Sequence, residues 1–293
     1  TVPVMAYGPE GPELAPATSE NFAVWGSGFG AWGHLDGDGN AARLDRSTGG
    51  FIAGGDAAIG ESWRLGLLAG YSHTSIHVDD RASSGSGNNY HLGIYAGTQR
   101  GPHSFRSGLA YTWNRIETGR SVAFPGFSDS LSADYHAGTF QAFGELGSRL
   151  DTASVSFEPY ANLAYVNFNA DGFTEHGGAA ALSGKDRSSD TTFTTIGLRA
   201  STAFPLGSVN TTARGGIGWR HAFGDVVPET ALAFTGGSSF AVEGTPIAKN
   251  AAVFEAGIDV NLTDKATIGL TYKGQLASDA QEHGFNAKLS VRF

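Results

Sequence analysis

The stretch that decides the fold is residues 282–293, EHGFNAKLSVRF, in which apolar and polar side chains alternate. In an extended strand successive side chains point to opposite faces, so this segment has one apolar face and one polar face. The apolar face carries Phe285, Ala287, Leu289, Val291 and Phe293, and the other face carries Gly284, Asn286, Lys288, Ser290 and Arg292. The pattern fits both an edge strand of a soluble sandwich and a strand of a membrane barrel, and the rest of the chain decides between them.

The composition excludes several classes of protein. The chain has 293 residues with no cysteine, one methionine, 43 glycines and 19 phenylalanines, and its formal net charge is −9. The lack of cysteine excludes disulfides and thiolate metal sites. The negative charge, without any cluster of Lys and Arg, argues against nucleic-acid binding. No apolar run reaches the roughly 18 residues of a transmembrane helix.

Period-2 alternation predicts about twelve strands after a proline-rich linker at residues 1–20, so the predicted barrel domain is 21–293. The strands are predicted near residues 21–33, 46–59, 62–77, 89–100, 103–117, 134–150, 153–169, 189–204, 208–223, 248–262, 265–277 and 281–293.

The predicted connections alternate in length. Short turns at 60–61, 101–102, 151–152, 205–207 and 263–264 alternate with long polar loops at 34–45, 78–88, 118–133, 170–188 and 224–247, and only the connection at 278–280 is short where a long one is expected. This is the layout of an all-β, up-and-down outer-membrane barrel, in which an even strand count places both termini on the short-turn side.

The two faces of the predicted strands support the barrel. Charged side chains fall on the face opposite the apolar one, and in a membrane barrel they must line the lumen, because Arg or Lys facing lipid at the midplane costs about 2–4 kcal/mol. The predicted lumenal residues are Asp56, Arg64, Arg106, Glu145, Glu158, Arg199, Arg214, Arg220, Glu255, Asp259, Lys273, Lys288 and Arg292.

Outward aromatic residues recur at a spacing that matches a bilayer. Trp63 and Tyr71 are eight residues apart, and the same spacing separates three further aromatic pairs. Eight residues of a tilted strand rise about 20 Å, close to the apolar band of about 25 Å between the aromatic girdles of such barrels. The predicted girdle residues are Trp63, Tyr71, Phe105, Trp113, Phe157, Tyr165, Trp219 and Tyr272.

Lumenal charges are predicted to meet across strand pairs. Glu255 and Lys273 flank the tight turn at 263–264, so the hairpin ladder brings them opposite or diagonal to each other. Arg214 and Arg220 are candidates to pair with Glu255 and Asp259 across the preceding pair of strands. Structural bracing and pore lining are both open as roles for these charges.

Motifs for enzymatic or cofactor chemistry are weak. GFGAWG at 28–33 is followed by a loop rather than by the helix that a dinucleotide site needs. DGDGN at 36–40 lacks the glycine and glutamate that complete a calcium loop, and His73 and His77 have no third ligand nearby in sequence. The sequence therefore predicts no catalytic residue, no metal site and no cofactor.

Several segments resemble the translocator domain of autotransporters, the type V secretion proteins. ARGGIGWRHAFGD at 213–225 and FAVEGTPIAKNAAVFEAGIDVNLTDKATIGLTYKGQ at 240–275 carry most of the resemblance, with FEPYANLAYV at 157–166 and NNYHLGIYAGTQ at 88–99. The resemblance covers about residues 21–293. It implies a twelve-stranded barrel in the outer membrane of a Gram-negative bacterium, with its termini in the periplasm, that anchors and helps to export an N-terminal passenger.

The resemblance also implies partners and site residues. The partners would be outer-membrane lipid, the barrel-assembly machinery and the protein's own passenger, with the barrel a monomer and not an enzyme. The apolar residues that end in Phe293 would be the signal read by the assembly machinery, and 224–247 would be the family's extracellular hairpin loop.

The chain departs from the family pattern at its beginning. The family usually threads a helix through the lumen before the first strand, whereas the four prolines within residues 1–20 make a poor helix. The helix would lie upstream of Thr1, or an extended segment would occupy the pore, or the pore would be empty. No asparagine-rich cleavage segment is present. A passive channel for small solutes and an outer-membrane hydrolase are the alternative functions.

Overall fold

The chain folds into a closed barrel of twelve antiparallel strands, as predicted. The computed structural model describes residues 2–8, 11–17, 22–37, 42–60, 62–78 and 82–293. The fold within these ranges is all β, and none of the described residues forms a helix long and apolar enough to cross a membrane.

Each of the twelve predicted strands is confirmed, and six of them are longer than predicted. The barrel strands are β3 (Phe22–Leu35), β4 (Leu44–Ile59), β5 (Trp63–Val78), β6 (Ser83–Arg100), β7 (His103–Phe124), β8 (Phe127–Ser148), β10 (Ser156–Ala170), β13 (Arg187–Leu206), β14 (Val209–Gly224), β17 (Asn250–Asn261), β18 (Ala266–Leu276) and β19 (Ala280–Arg292). A two-residue strand, β9 (Leu150–Asp151), pairs with β10 beside the end of β8.

Two small sheets lie outside the barrel ladder. Strands β1 (Val2–Gly8) and β2 (Gly11–Ala17) pair with each other, and the rest of the predicted linker at 1–20 lies outside the described residues. A second sheet, here called the cap sheet, is formed by β11 (Phe173–Thr174), β12 (Leu182–Gly184), β15 (Glu229–Phe234) and β16 (Phe240–Glu243).

The barrel closes by pairing its first and last strands. Strand β19 pairs antiparallel with β3 from Ala280 to Arg292. Beyond it the amide of Phe293 donates to the carbonyl oxygen of Phe22 at 3.0 Å, and the rings of these two residues lie 6.4 Å apart. Closure leaves no barrel strand with an unpaired edge, which an open sheet would expose to pairing with another chain.

The connections differ between the two ends of the barrel. Five short connections lie at one end, here called the turn end, together with Phe22 and Phe293. The opposite end, here called the loop end, carries the longer connections and the cap sheet. It also has two short connections, the predicted one at 277–279 and another at 125–126.

One predicted loop is wrong. Residues 118–133 were expected to be a long polar loop, but β7 and β8 continue through them and reverse at Pro125–Gly126. Gly126 has a φ of 86°, a conformation that glycine adopts without strain. Water solvates both faces of a ladder beyond the membrane, so polar residues there are compatible with strands and composition does not mark the strand end.

A packed apolar cluster fills one side of the lumen, which the charge pattern did not predict. Its members are Trp25, Phe29, Ile52, Leu68 and Tyr95, each at most 9% exposed. Trp25 faces Gly54 across the β3–β4 ladder, and Tyr95 faces Gly66 across β5–β6. A Cβ added at either glycine would collide with the facing ring, so the missing side chains make the room that the rings occupy.

Candidate functional site

The inner face of the barrel carries the charged residues that the alternation predicts there. The register places Asp56, Arg64, Arg106, Glu145, Glu158, Arg199, Arg214, Arg220, Glu255, Asp259, Lys273, Lys288 and Arg292 on the strand face opposite the exposed apolar residues. Arg106 is 1% and Glu145 2% exposed, so the turn-end half of the lumen buries charge deeply. Buried charges need partners, and the structure supplies them.

Four of these residues form an ion-pair tetrad. The Nη1 atom of Arg106 donates to Glu145 at 2.7 Å and to Glu158 at 2.8 Å. Arg199 donates to both Glu145 oxygens, at 2.7 and 3.0 Å, and its guanidinium lies 3.7 Å from the ring centre of Tyr160. The tetrad joins β7, β8, β10 and β13 and is electrically balanced, with two cations and two anions.

A second buried network links the apolar cluster to charge. The Nε atom of Arg64 donates to Asp56 at 2.6 Å, and the hydroxyl of Tyr95 donates to the other oxygen of Asp56 at 2.9 Å. The indole of Trp25 in turn donates to the hydroxyl of Tyr95 at 2.7 Å. The side chains of this hydrogen-bond network therefore satisfy one another inside the packed side of the lumen.

The predicted pairing of the later strands is met only in part. Glu255 faces Lys273 directly in the β17–β18 ladder. Arg214 lies 3.2 Å from Asp259 and 3.9 Å from Glu255, in agreement with its predicted partners. Arg220 instead donates to Oε1 of Gln275 at 2.7 Å, so its partner is a neutral amide and not a predicted carboxylate.

The other side of the lumen is open. A cavity of about 230 Å³ lies between the walls formed by β8, β10, β13, β14, β17, β18 and β19. Its charged lining consists of Arg199, Arg220, Lys273, Glu145, Glu255 and Glu282, and Phe143, Tyr160 and Phe193 add aromatic surface. With three cations and three anions, this wall can interact with both positively and negatively charged groups.

The outer face carries the predicted aromatic residues at both ends. Of the eight predicted girdle residues, Phe105 and Tyr272 are half-buried and the other six are exposed. The rings of Trp63 and Phe105 lie 6.3 Å apart towards the turn end, and those of Tyr71 and Tyr90 lie 5.4 Å apart towards the loop end. The last strand presents its apolar side chains outward, with Phe293 63% exposed.

The loop end is braced by a partly buried ion pair. Arg120 donates to both oxygens of Glu175, at 2.8 and 2.6 Å, and also to the carbonyl oxygen of Ala180 at 2.7 Å. Nearby, the ring of Tyr135 stacks on Phe173 at 5.2 Å, and burial raises the pKa of the Tyr135 phenol. These contacts hold the cap sheet and its loop against the extension of β8.

One histidine lies in a hydrogen-bond network that no sequence motif indicates. His91 contacts Ser72 through Nε2 and Thr112 through Nδ1, both at 2.9 Å, and the amide of Asn89 donates to Ser72. Ser72 is 2% exposed, and both nitrogens of His91 are used by hydroxyl groups. The arrangement lacks a carboxylate orienting group and fits a satisfied polar network in the lumen wall. Only the strand pairing could have revealed it.

The structure shows where the residues of the weak motifs lie. GFGAWG lies within β3, and Asp38 and Asn40 of DGDGN lie outside the described residues. His73 contacts Asn88 through Nδ1 at 3.1 Å. Among the described residues no group of three potential metal ligands occurs.

Comparisons with known proteins agree with this geometry. The family model "Autotransporter beta-domain" matches residues 24–273. Two proteins of Serratia marcescens named "Extracellular serine protease" are 38% and 37% identical over 276 residues, which is 94% of this chain and 26% of each relative. The chain thus spans about a quarter of the length of these curated relatives.

Solved structures support the fold alone, because their sequence identity is low. The translocator domain of the autotransporter NalP from Neisseria meningitidis gives a TM-score of 0.73 at 16% identity, covering 94% of this chain and 90% of that one. The β-domain of the Bordetella autotransporter BrkA gives 0.70 at 17% identity, covering 94% and 100%.

Proposed function

We propose, on the premise that this chain belongs to the autotransporter β-domain family and is an outer-membrane translocator domain, that its passenger segment moves outward along the open side of its lumen. The family is not itself catalytic, so any enzymatic activity of the full-length protein would belong to the passenger. The relatives are named extracellular serine proteases, which makes peptide hydrolysis the first passenger activity to test.

The observation that carries the proposal is the uneven filling of the lumen. The apolar cluster occupies the side formed by β3–β6, whereas the cavity of about 230 Å³ lies along the later strands. A polypeptide in transit carries backbone amides and carbonyls that need hydrogen-bonding partners or water. Arg220, Gln275 and Lys273 line the cavity and offer such partners on the open side.

We propose that the turn end faces the periplasm and the loop end faces the outside. Both ends of the barrel sequence lie at the turn end, which suits an N-terminal passenger delivered from the periplasm. At the loop end the β15–β16 hairpin exposes Phe234, Phe240 and Val242. This apolar tip would offer the emerging passenger a surface on which to begin folding.

We propose that the apolar residues of β19 and Phe293 are read by the barrel-assembly machinery and later face lipid. Phe293 makes few contacts for a terminal aromatic, since it is 63% exposed and touches Phe22. Deletion of Phe293 should lower the yield of assembled, heat-modifiable barrel in cells while refolding of the purified chain in detergent changes little. Unchanged assembly in cells would remove the targeting role.

The passage route can be tested by narrowing the lumen. Gly284 lines the cavity, and a Cβ built there would lie 3.7 Å from its nearest neighbours, so Gly284→Trp adds bulk to the open side without a backbone collision. The matched control is Gly28→Trp on the outward face of β3, where an added Cβ meets nothing within 4 Å.

Both variants should assemble to similar levels, and only Gly284→Trp should reduce surface exposure of the passenger, by severalfold. Protease accessibility of a passenger fused ahead of Thr1 on intact cells is the measurement, with the heat-induced mobility shift of the barrel as the assembly control. Equal passenger exposure in the two variants would contradict passage along the open side.

A further inference from the structure

Histidines follow the loop-end aromatic residues around the outer face of the barrel. Trp32 is followed two residues later by His34, Tyr71 by His73 and Trp219 by His221, and His283 stands two residues before Phe285. In each case the histidine shares the outward face with the aromatic residue and lies one outward position nearer the loop end. His136 is aligned in the ladder with Arg115, two residues beyond Trp113. We call His34, His73, His136, His221 and His283 the histidine collar.

Three of the five collar histidines each use Nδ1 within the protein. Nδ1 of His73 contacts the Asn88 amide oxygen at 3.1 Å, and Nδ1 of His221 contacts that of Asn250 at 2.8 Å. Nδ1 of His283 lies 2.8 Å from the hydroxyl of Tyr272. Within the described part of the chain no hydrogen bond involves Nε2 of these three rings, so this nitrogen is available to a ligand outside the barrel.

Arg115 stands in the middle of the densest part of the collar. It faces Asn88 on β6 and His136 on β8, and Asn88 faces His73 on β5, so one ladder row crosses four strands. At a strand spacing of about 4.8 Å the row is about 14 Å long. Arg115 is exposed, and no ion pair to it is formed by the residues that the structure describes.

We propose that this row, His73–Asn88–Arg115–His136, binds the phosphate groups of anionic lipids in the outer leaflet. The row lies immediately beyond Tyr71, Tyr90 and Trp113, which are exposed and mark the end of the apolar band. A guanidinium at that height meets lipid headgroups, and phosphate is the anion that it binds with paired hydrogen bonds. The histidines at the two ends of the row add ring nitrogens that can hydrogen-bond to the same headgroup.

Carboxylates lie near the row. Glu117 and Asp134 face each other one outward position farther from the membrane, about 7 Å from Arg115. Asp45, His77 and Asp171 lie near the two ends of the row. Among the described residues none of these carboxylates forms an ion pair with Arg115, so its guanidinium can meet a phosphate at the membrane surface.

The test measures lipid selectivity near the row by the fluorescence of Trp113. In the background Trp32→Phe, Trp63→Phe, Trp219→Phe, the remaining tryptophans are Trp113 below the row and Trp25, which is 5% exposed inside the lumen. The refolded chain is placed in vesicles of brominated phosphatidylglycerol with unlabelled phosphatidylcholine, and in the reverse labelling. The ratio of quenching gives the preference for the anionic lipid.

The parent should prefer the anionic lipid by about fivefold, the effect expected of one cation near an anionic membrane surface. The triple variant His73→Asn, Arg115→Gln, His136→Asn should show no preference. The matched control replaces the turn-end pair, Arg100→Gln and His103→Asn, and should behave as the parent does. The inference rests on the proposed orientation, with the loop end outside, and not on passage of a passenger, because no lumenal residue takes part.

Two results would overturn it: no preference for the anionic lipid in the parent, or the same loss of preference in the turn-end control as in the triple variant. Retained heat-modifiability of each variant shows that the barrel has refolded. A variant that fails to refold is replaced by Arg115→Gln alone, for which at least half of the preference should be lost, and full retention would count against the site.

Discussion

The two sides of the lumen come from the same alternating strands, yet one side is solid and the other is open. On the packed side a large ring faces a glycine, as Trp25 faces Gly54, and the ring fills the space over the neighbouring strand. On the open side charge faces charge, as Glu255 faces Lys273, and the side chains border a cavity. The residue across the ladder, more than the strand's own alternation, therefore decides whether that side of the lumen is filled.

The largest difference between the two sides should appear when an aromatic ring is removed from each. Trp25→Ala should destabilise the assembled barrel by about 3–5 kcal/mol, since it empties a packed site and removes the donor to Tyr95. Phe193→Ala should cost about 1–2 kcal/mol, because Phe193 already borders the cavity. The urea midpoint of the heat-modifiable gel species measures both. Equal losses would mean that the cavity side is as tightly packed as the cluster.

A smaller difference should separate two glutamates. Glu145→Gln leaves Arg106 and Arg199 to share Glu158 in a buried setting, and should cost about 3 kcal/mol. Glu255 is 23% exposed and lies 3.9 Å from Arg214, so Glu255→Gln should change stability by less than about 1 kcal/mol. The same gel assay in urea applies. A large effect of Glu255→Gln would show that the open side is braced by charge rather than hydrated.

The sequence predicted the strands and the local pairings well, because both depend on neighbouring residues. Alternation located all twelve strands, and counting back from the tight turn at 263–264 placed Glu255 opposite or diagonal to Lys273, and the structure has them directly opposite. The interior of the barrel was harder. Arg199 meets Glu145 with strand β10 between them, a contact that depends on the shear of the closed barrel and not on any spacing along the chain.

Composition misled where the environment changes along a strand. The apolar cluster was missed because inward aromatic residues such as Trp25 and Tyr95 were not expected in a lumen predicted to be polar. The extension of β7 and β8 was missed because polar residues beyond the bilayer carry no preference between loop and ladder. In both places the strands were recognisable, but their surroundings were not.

The junction of β19 with β3 sets the order of events during biogenesis. Strand β19 is synthesised after the other eleven barrel strands, and β3 has no partner on its outer side until β19 arrives. The cylinder therefore cannot be sealed before β19 has been made, and every earlier strand must be kept from aggregating in the meantime. Any segment that precedes β3 is synthesised earlier still and must wait for β19 before the barrel can close.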